Sequence, residues 1–141
     1  MAEQARTLLQ SIVNPYAAQE MQDGAAWRLL QAETFIAAHL HDPELDVAMV
    51  ANAMNMSARQ LHRVFAHSDR SVSELIWECR LERAHEELLA ASLRGLSVGD
   101  IAHRWGFSDQ AHFARAFRAR YGLAPTQYRR MRTEAVPPAQ E

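Results

Sequence analysis

The sequence predicts an all-α protein of about seven helices, arranged as two helix-turn-helix subdomains joined by one long linker helix. Three observations carry this. Gly and Pro are scarce, five of each in 141 residues, and they fall between segments with helical periodicity. No alternating β-branched run marks a strand. One pattern also occurs twice, at residues 50–65 and 101–117.

Residues 1–24 read as an N-terminal helix fragment and linker. Arg6 to Val13 carries Leu8, Leu9, Ile12 and Val13 as a short apolar helix face, and Asn14 to Gly24 reads as linker. The first subdomain takes residues 25–70. Its opening helix, about Ala25 to His41, places Trp27, Leu30, Phe35, Ile36 and Leu40 at core spacing and stops at Asp42-Pro43, because the residue before proline avoids helical angles. A short helix follows from about Val47 to Met54, then a turn at Asn55-Met56. Ser57 caps a second helix running to about His67.

Residues 71–91 form the linker helix, with Val72, Leu75, Ile76, Cys79, Leu81, Ala84, Leu88 and Leu89 as its apolar positions. The second subdomain, 92–132, repeats the plan: a helix from Val98 to Trp105, a turn at Gly106-Phe107, and a helix capped by Ser108 that runs to about Tyr121. A last helix opens near Pro125, a residue suited to a first helical turn. The tail, 133–141, is expected to be disordered.

The repeat is specific. VANAMNMS (50–57) aligns with IAHRWGFS (101–108), and LHRVF (61–65) with FARAF (113–117), with one extra residue after the second serine. Ala51 and Ala102 are small where two helices meet closely. Asn55 and Gly106 occupy a turn that needs a left-handed backbone, which Gly and Asn tolerate best. Leu61, Val64 and Phe65, and likewise Phe113, Ala116 and Phe117, give each second helix an inward face. This is the helix-turn-helix pattern, whose second helix enters the major groove of DNA.

At 100° per residue, Arg59 and Arg63 point opposite Leu61 and Phe65, flanked by Gln60 and His62. In the second unit Ala111, Arg115 and Arg118 point away from Phe113 and Phe117, flanked by Gln110, His112 and Ala114. Arg grips guanine bidentately, Gln suits adenine, and Ala meets the thymine methyl. A linker of about 21 residues would span roughly 31 Å, close to the roughly 34 Å between successive major grooves on one face of DNA.

Charge supports this assignment. The formal net charge is −2, yet all fifteen basic residues are arginine. From Arg104 to Arg132 seven arginines face one acid, Asp109, while acids gather between Glu74 and Glu87. That asymmetry reads as one cationic face on a balanced body. Candidate phosphate contacts are Ser57 and Ser108 at helix starts, and Arg118, Arg129 and Arg130, with Arg120 and Arg132 beside them. Arg80 and Asp100 are candidates to pair across the subdomains.

From Leu45 to Arg130 the sequence resembles the C-terminal DNA-binding domain of AraC/XylS-family transcription regulators. The residues that carry it are SARQLHRVF (57–65), RLERA (80–84) and SVGDIAHRWGFSDQAHFARAFRARYGLAPTQYRR (97–130). The resemblance implies seven helices in two subdomains, with the helices beginning at Ser57 and Ser108 reading adjacent major grooves. It implies base contacts from Arg59, His62, Arg63, Gln110, Ala111, His112, Ala114 and Arg115. The sequence departs from the family in three places: Asn55 stands where Gly is usual, Ala58 where Pro is frequent, and Arg70 where a Gly usually ends the first reading helix. The last departure predicts a strained or bent corner. Family members usually carry an N-terminal ligand-sensing or dimerisation domain. The roughly 24 residues before the first core helix are too few for one, so the chain reads either as a stand-alone short regulator or as the C-terminal part of a longer one, the latter being favoured.

Other chemistries find no support. No paired carboxylates, nucleophile-base set, phosphate-cradling glycine loop or metal cluster is present, which argues against an enzyme, a cofactor or a metal. Seven histidines with one cysteine give no zinc spacing, and His39 and His41 are expected to face solvent. Cys79 reads as an inert core thiol, and its being alone excludes an internal disulfide and fits a reducing cytoplasm. Trp105, Phe107, Phe113, Phe117 and Tyr128 fall on inward phases, as core rather than base-stacking platforms. The partners expected are double-stranded DNA and RNA polymerase, no membrane, and a small-molecule effector only through a missing N-terminal domain. The alternative is a helical protein-interaction module that binds the transcription machinery or another regulator without reading bases.

Overall fold

A computed structural model describes residues 15–90 and 95–135, with side chains from Asp23 onward. Seven α-helices and no strand occur among them: α1 (Pro15–His39), α2 (Val47–Ala53), α3 (Ala58–Phe65), α4 (Val72–Leu89), α5 (Val98–Arg104), α6 (Gln110–Tyr121) and α7 (Pro125–Glu134). The expected helix at Arg6 to Val13 and residues 136–141 of the expected tail lie outside the described residues. None of the described helices is long and apolar enough to cross a membrane.

The helices begin where side chains satisfy their orphan amides. Ser57 accepts from the Gln60 amide at 3.1 Å while the Gln60 side chain accepts from the Ser57 amide at 2.8 Å. Ser71 with Glu74, and Ser97 with Asp100, form the same reciprocal box at the starts of α4 and α5. These bonds hold the Glu74 and Asp100 carboxyls below their usual pKa, with the backbone bond leading for Glu74 and the side-chain bond for Asp100. Asp100 is therefore committed to the start of α5, and the expected pairing with Arg80 does not form.

Two cores result. Ala32, Ile36, Leu40, Val50, Leu61 and Phe65 pack with Val72, Leu75 and Ile76 of α4 to make the first. Leu81, Ala84 and Leu88, farther along α4, meet Ile101, Phe107, Phe113 and Phe117 in the second. The linker helix thus supplies each core with its own section of apolar face, and Trp105 packs against both clusters. Burying each of these phenylalanines contributes about 1.5–3 kcal/mol. Phe107, Phe113 and Phe117 are buried, and Trp105 and Tyr128 half-buried, as their inward phases predict.

Several boundaries move. Of the stretch expected as a linker, the part from Pro15 onward is helical and continuous with α1. Proline suits a first turn, Ala, Gln, Glu and Met favour helix, and the lone Gly24 costs only about 1 kcal/mol. Trp27 and Leu30, expected in the core, are 59% and 52% exposed, because the inward face of α1 runs through Ala32 and Ile36, with Leu40 buried just past its end. His39 is half-buried rather than solvated, stacked on Phe35 with its Nδ1 2.8 Å from the Phe35 carbonyl. Thr133 and Glu134, assigned to the tail, complete α7. Cys79 is half-buried, and burial pushes its thiol pKa up, which keeps it protonated and inert.

Candidate nucleic-acid interface

The two turns are the same object built twice. After α2, the Met56 amide donates to the Ala51 carbonyl at 3.0 Å and the Asn55 amide to Asn52 at 3.1 Å. After α5, Phe107 donates to Ala102 at 3.0 Å and Gly106 to His103 at 3.1 Å. This double bond pattern closes a helix C-terminus around one left-handed residue. Asn55 (φ 54°) and Gly106 (φ 85°) are those residues. Ala51 and Ala102 are buried between the helices that the turn brings together.

Each turn delivers a second helix with its polar side outward. Arg59, Gln60, His62 and Arg63 of α3 are all exposed, as are Gln110, Ala111, His112 and Arg115 of α6; Ala114 is half-buried. The buried pairs Leu61/Phe113 and Phe65/Phe117 are both 52 positions apart, against 51 for the turns. In that register Arg63 matches Arg115 and Ser57 matches Asp109. The extra residue is absorbed at the helix start: Asp109, not Ser108, caps α6, its carboxylate accepting from the Ala111 amide at 2.9 Å. The expected cap at Ser108 is corrected on this point, and the 52-residue offset was the signal for it.

Other predicted contacts are altered by their neighbours. The Gln60 amide oxygen is occupied in the capping box, so the two-point grip on adenine is unavailable while the box holds. Arg129 donates from Nη1 to the Leu96 carbonyl at 2.6 Å, tying α7 to the start of the second unit. Arg118 and Arg130 remain exposed. Gln110 folds over Gly99, whose missing side chain leaves room for the amide. His112 stands edge-on to Trp77 of α4, with centroids 5.7 Å apart.

Charge is sorted by ion pairing. Glu82 takes Arg120 and Glu87 takes Arg104, while Glu78 takes Arg70, so the acids of α4 neutralise arginines around it. Arg59, Arg63, Arg115 and Arg118 form no ion pair with any described residue, and they carry the positive charge of the two reading faces. Each surface pair stabilises the fold by about 1 kcal/mol or less, so its main effect is on where the positive charge remains.

Arg70 does not strain the corner after α3. It has no positive φ; Asn55 is the only described non-glycine residue that does. In the 52-residue register Arg70 matches Gly122 (φ 84°), which closes α6 after 12 residues. Without that left-handed stop α3 ends at Phe65 after 8 residues, two before the expected His67. The linker is also shorter than expected, 18 residues from Val72 to Leu89, or about 27 Å.

Two equivalent bihelical units on one connecting helix, each with an exposed arginine-bearing second helix, define a double helix-turn-helix protein. The helix-turn-helix domain family matches residues 50–131, and the chain belongs to that family, in its AraC/XylS-type form. It is 33% identical over 102 residues to the transcriptional activator NphR of a Rhodococcus species, covering 72% of this chain and 30% of that one. An AraC-type DNA-binding-domain regulator from Chromobacterium violaceum superposes with a TM-score of 0.69 at 27% identity, over 81% of this chain and 99% of that one. The C-terminal domain of AraT, a response regulator from Geobacillus stearothermophilus, gives 0.67 at 30% identity, over 81% and 91%. The chain spans about a third of the length of the curated relatives it matches.

Proposed function

We propose that this chain is the DNA-binding portion of a transcription regulator, reading two adjacent major grooves with α3 and α6. The carrying observation is the matched exposure of Arg63 and Arg115 at equivalent positions of two repeated units that share one linker helix. Arg59, His62 and Arg63 read bases in the first groove, and Gln110, Ala111, His112, Ala114 and Arg115 in the second. The amides at the starts of these helices, with Arg118 and Arg130, hold phosphates and set register. A linker of about 27 Å falls short of the roughly 34 Å groove repeat. Outward projection of the reading helices, or a bend of the duplex toward the protein, makes up the rest. The regulator acts in the cytoplasm, with RNA polymerase meeting surfaces away from the two reading faces.

A mobility-shift series on selected and random duplexes across salt concentrations tests this. A reader shows a steep salt slope together with sequence preference. Arg115→Ala weakens the selected site by roughly 1–3 kcal/mol and relaxes specificity there, whereas Arg130→Ala weakens all sequences alike. Equal losses on selected and random DNA for Arg115→Ala would remove its base-reading role.

A further inference from the structure

Helix α1 begins at Pro15, and Ala32 is the first fully buried residue among its described side chains. Its stretch from Gly24 to Arg28 borders a cleft of about 720 Å³ beside α3, lined by Gly24 and Arg28 on one side, Gln60 and Arg63 on the other, and Asn55 of the first turn. No acidic side chain among the described residues lines this cleft. Arg28 and Arg63 come from different helices and neither has an ion-pair partner among the described residues. Two guanidinium groups bordering one cleft offer a doubly cationic lip to an anion.

The position of the cleft selects the anion. Gln60 and Val64 form the flank of α3 that faces it. The opposite flank, at Ala58, borders a groove shared with Trp77, and Trp77 touches His112 of the second reading helix. The cleft therefore lies on the side of the first unit remote from the second. With Arg63 directed into a major groove, the sugar-phosphate strand bounding that groove runs along this outer side.

We propose that this cleft is a phosphodiester-binding site, in which Arg28 grips a phosphate of the duplex outside both reading grooves. It rests on the two-groove reading above and adds a contact from α1, a helix that no part of that reading uses. The long α1 thereby extends the footprint on the DNA beyond the reading helices.

The test is Arg28→Ala in the full chain, measured by salt-dependent binding to a selected duplex, to a random duplex, and to the selected duplex trimmed by half a turn beyond the first half-site. One lost phosphate contact lowers the slope of log K against log salt by about 0.9, or about eightfold in affinity at 0.1 M salt. We expect that loss on both full-length duplexes and none on the trimmed one, where wild type falls to the level of the variant. Arg28→Lys restores part of the affinity, and the exposed position leaves the melting temperature unchanged. An unaltered slope on full-length DNA, or a loss that persists on the trimmed duplex, overturns the proposal. Failure of the two-groove reading looks different: wild type itself would then bind without sequence preference or salt dependence.

Discussion

The guanidinium of Arg80 lies against Gly106: a β-carbon there would stand 3.2 Å from both its Cζ and Nη1. Arg80 is 3% exposed. Its Nε donates to the Leu40 carbonyl at 3.2 Å and its Nη2 to that of Asp42 at 2.7 Å, and it stands 5.2 Å over the Trp77 ring. One side chain on α4 thus closes the end of α1 in the first unit and supports the turn of the second. Burial draws its pKa down and the Asp42 carboxylate opposes this. Gly106 is required twice over, for its left-handed φ and for the space Arg80 fills.

Substitution at Gly106 tests this contact. Gly106→Ala is expected to destabilise by about 1–3 kcal/mol from backbone strain alone. Gly106→Asn also destabilises, although Asn55 holds the equivalent position, because the added side chain meets Arg80. Urea denaturation of both variants beside Asn55→Gly, which should cost little, measures the difference. Arg80→Lys keeps the charge and loses the fork. It should broaden the range of half-site spacings bound without weakening either half-site alone.

Capping at α6 separates two adjacent residues. Asp109→Ala should cost about 1 kcal/mol of stability and Ser108→Ala only a few tenths. The reverse order in chemical denaturation would return the cap to Ser108.

His85 makes stability pH-dependent. Its ring stacks on Tyr121 at 4.1 Å and its Nε2 is 3.0 Å from the Tyr128 hydroxyl. Burial first, then Arg132 and Arg120, lower its pKa from the usual 6.5, against Glu86 and Glu82. The folded protein therefore resists protonation that the unfolded chain accepts. Its contribution to stability is complete above about pH 6.5 and is lost as pH falls toward the folded value. His85→Gln should melt with less change between pH 7.5 and 5.5 than wild type, and an identical change would remove His85 as the cause.

Gly99 sets the position of a reading side chain without belonging to the core. An added methyl displaces the Gln110 amide, a movable group, so Gly99→Ala should leave the melting temperature nearly unchanged. It should alter base preference under Gln110 in binding selections, and an unchanged preference would free Gln110 of a reading role.

Much of this was legible in sequence because the repeat encodes it locally. The left-handed turns at Asn55 and Gly106 and the inward faces through Leu61, Phe65, Phe113 and Phe117 follow from residue type and spacing. What escaped depends on three-dimensional neighbours. Nine residues at 100° each put Trp27 opposite Ile36 on α1, so phase separates the two sides, but nothing local says which of them meets the core. The pairing of Arg80 with carbonyls about forty residues away, rather than with Asp100, has no periodic signature. Gln60 is outward on a helical wheel but bonded to its own cap. Asp109 was readable, since an extra residue must shift the start of the helix.

Base-interference mapping on a selected duplex tests the two-groove reading most directly. It should reveal two clusters of essential bases centred about 10–10.5 bp apart on one face, the first lost in Arg63→Ala and the second in Arg115→Ala. A single cluster, or one pattern erased by both variants, would contradict it.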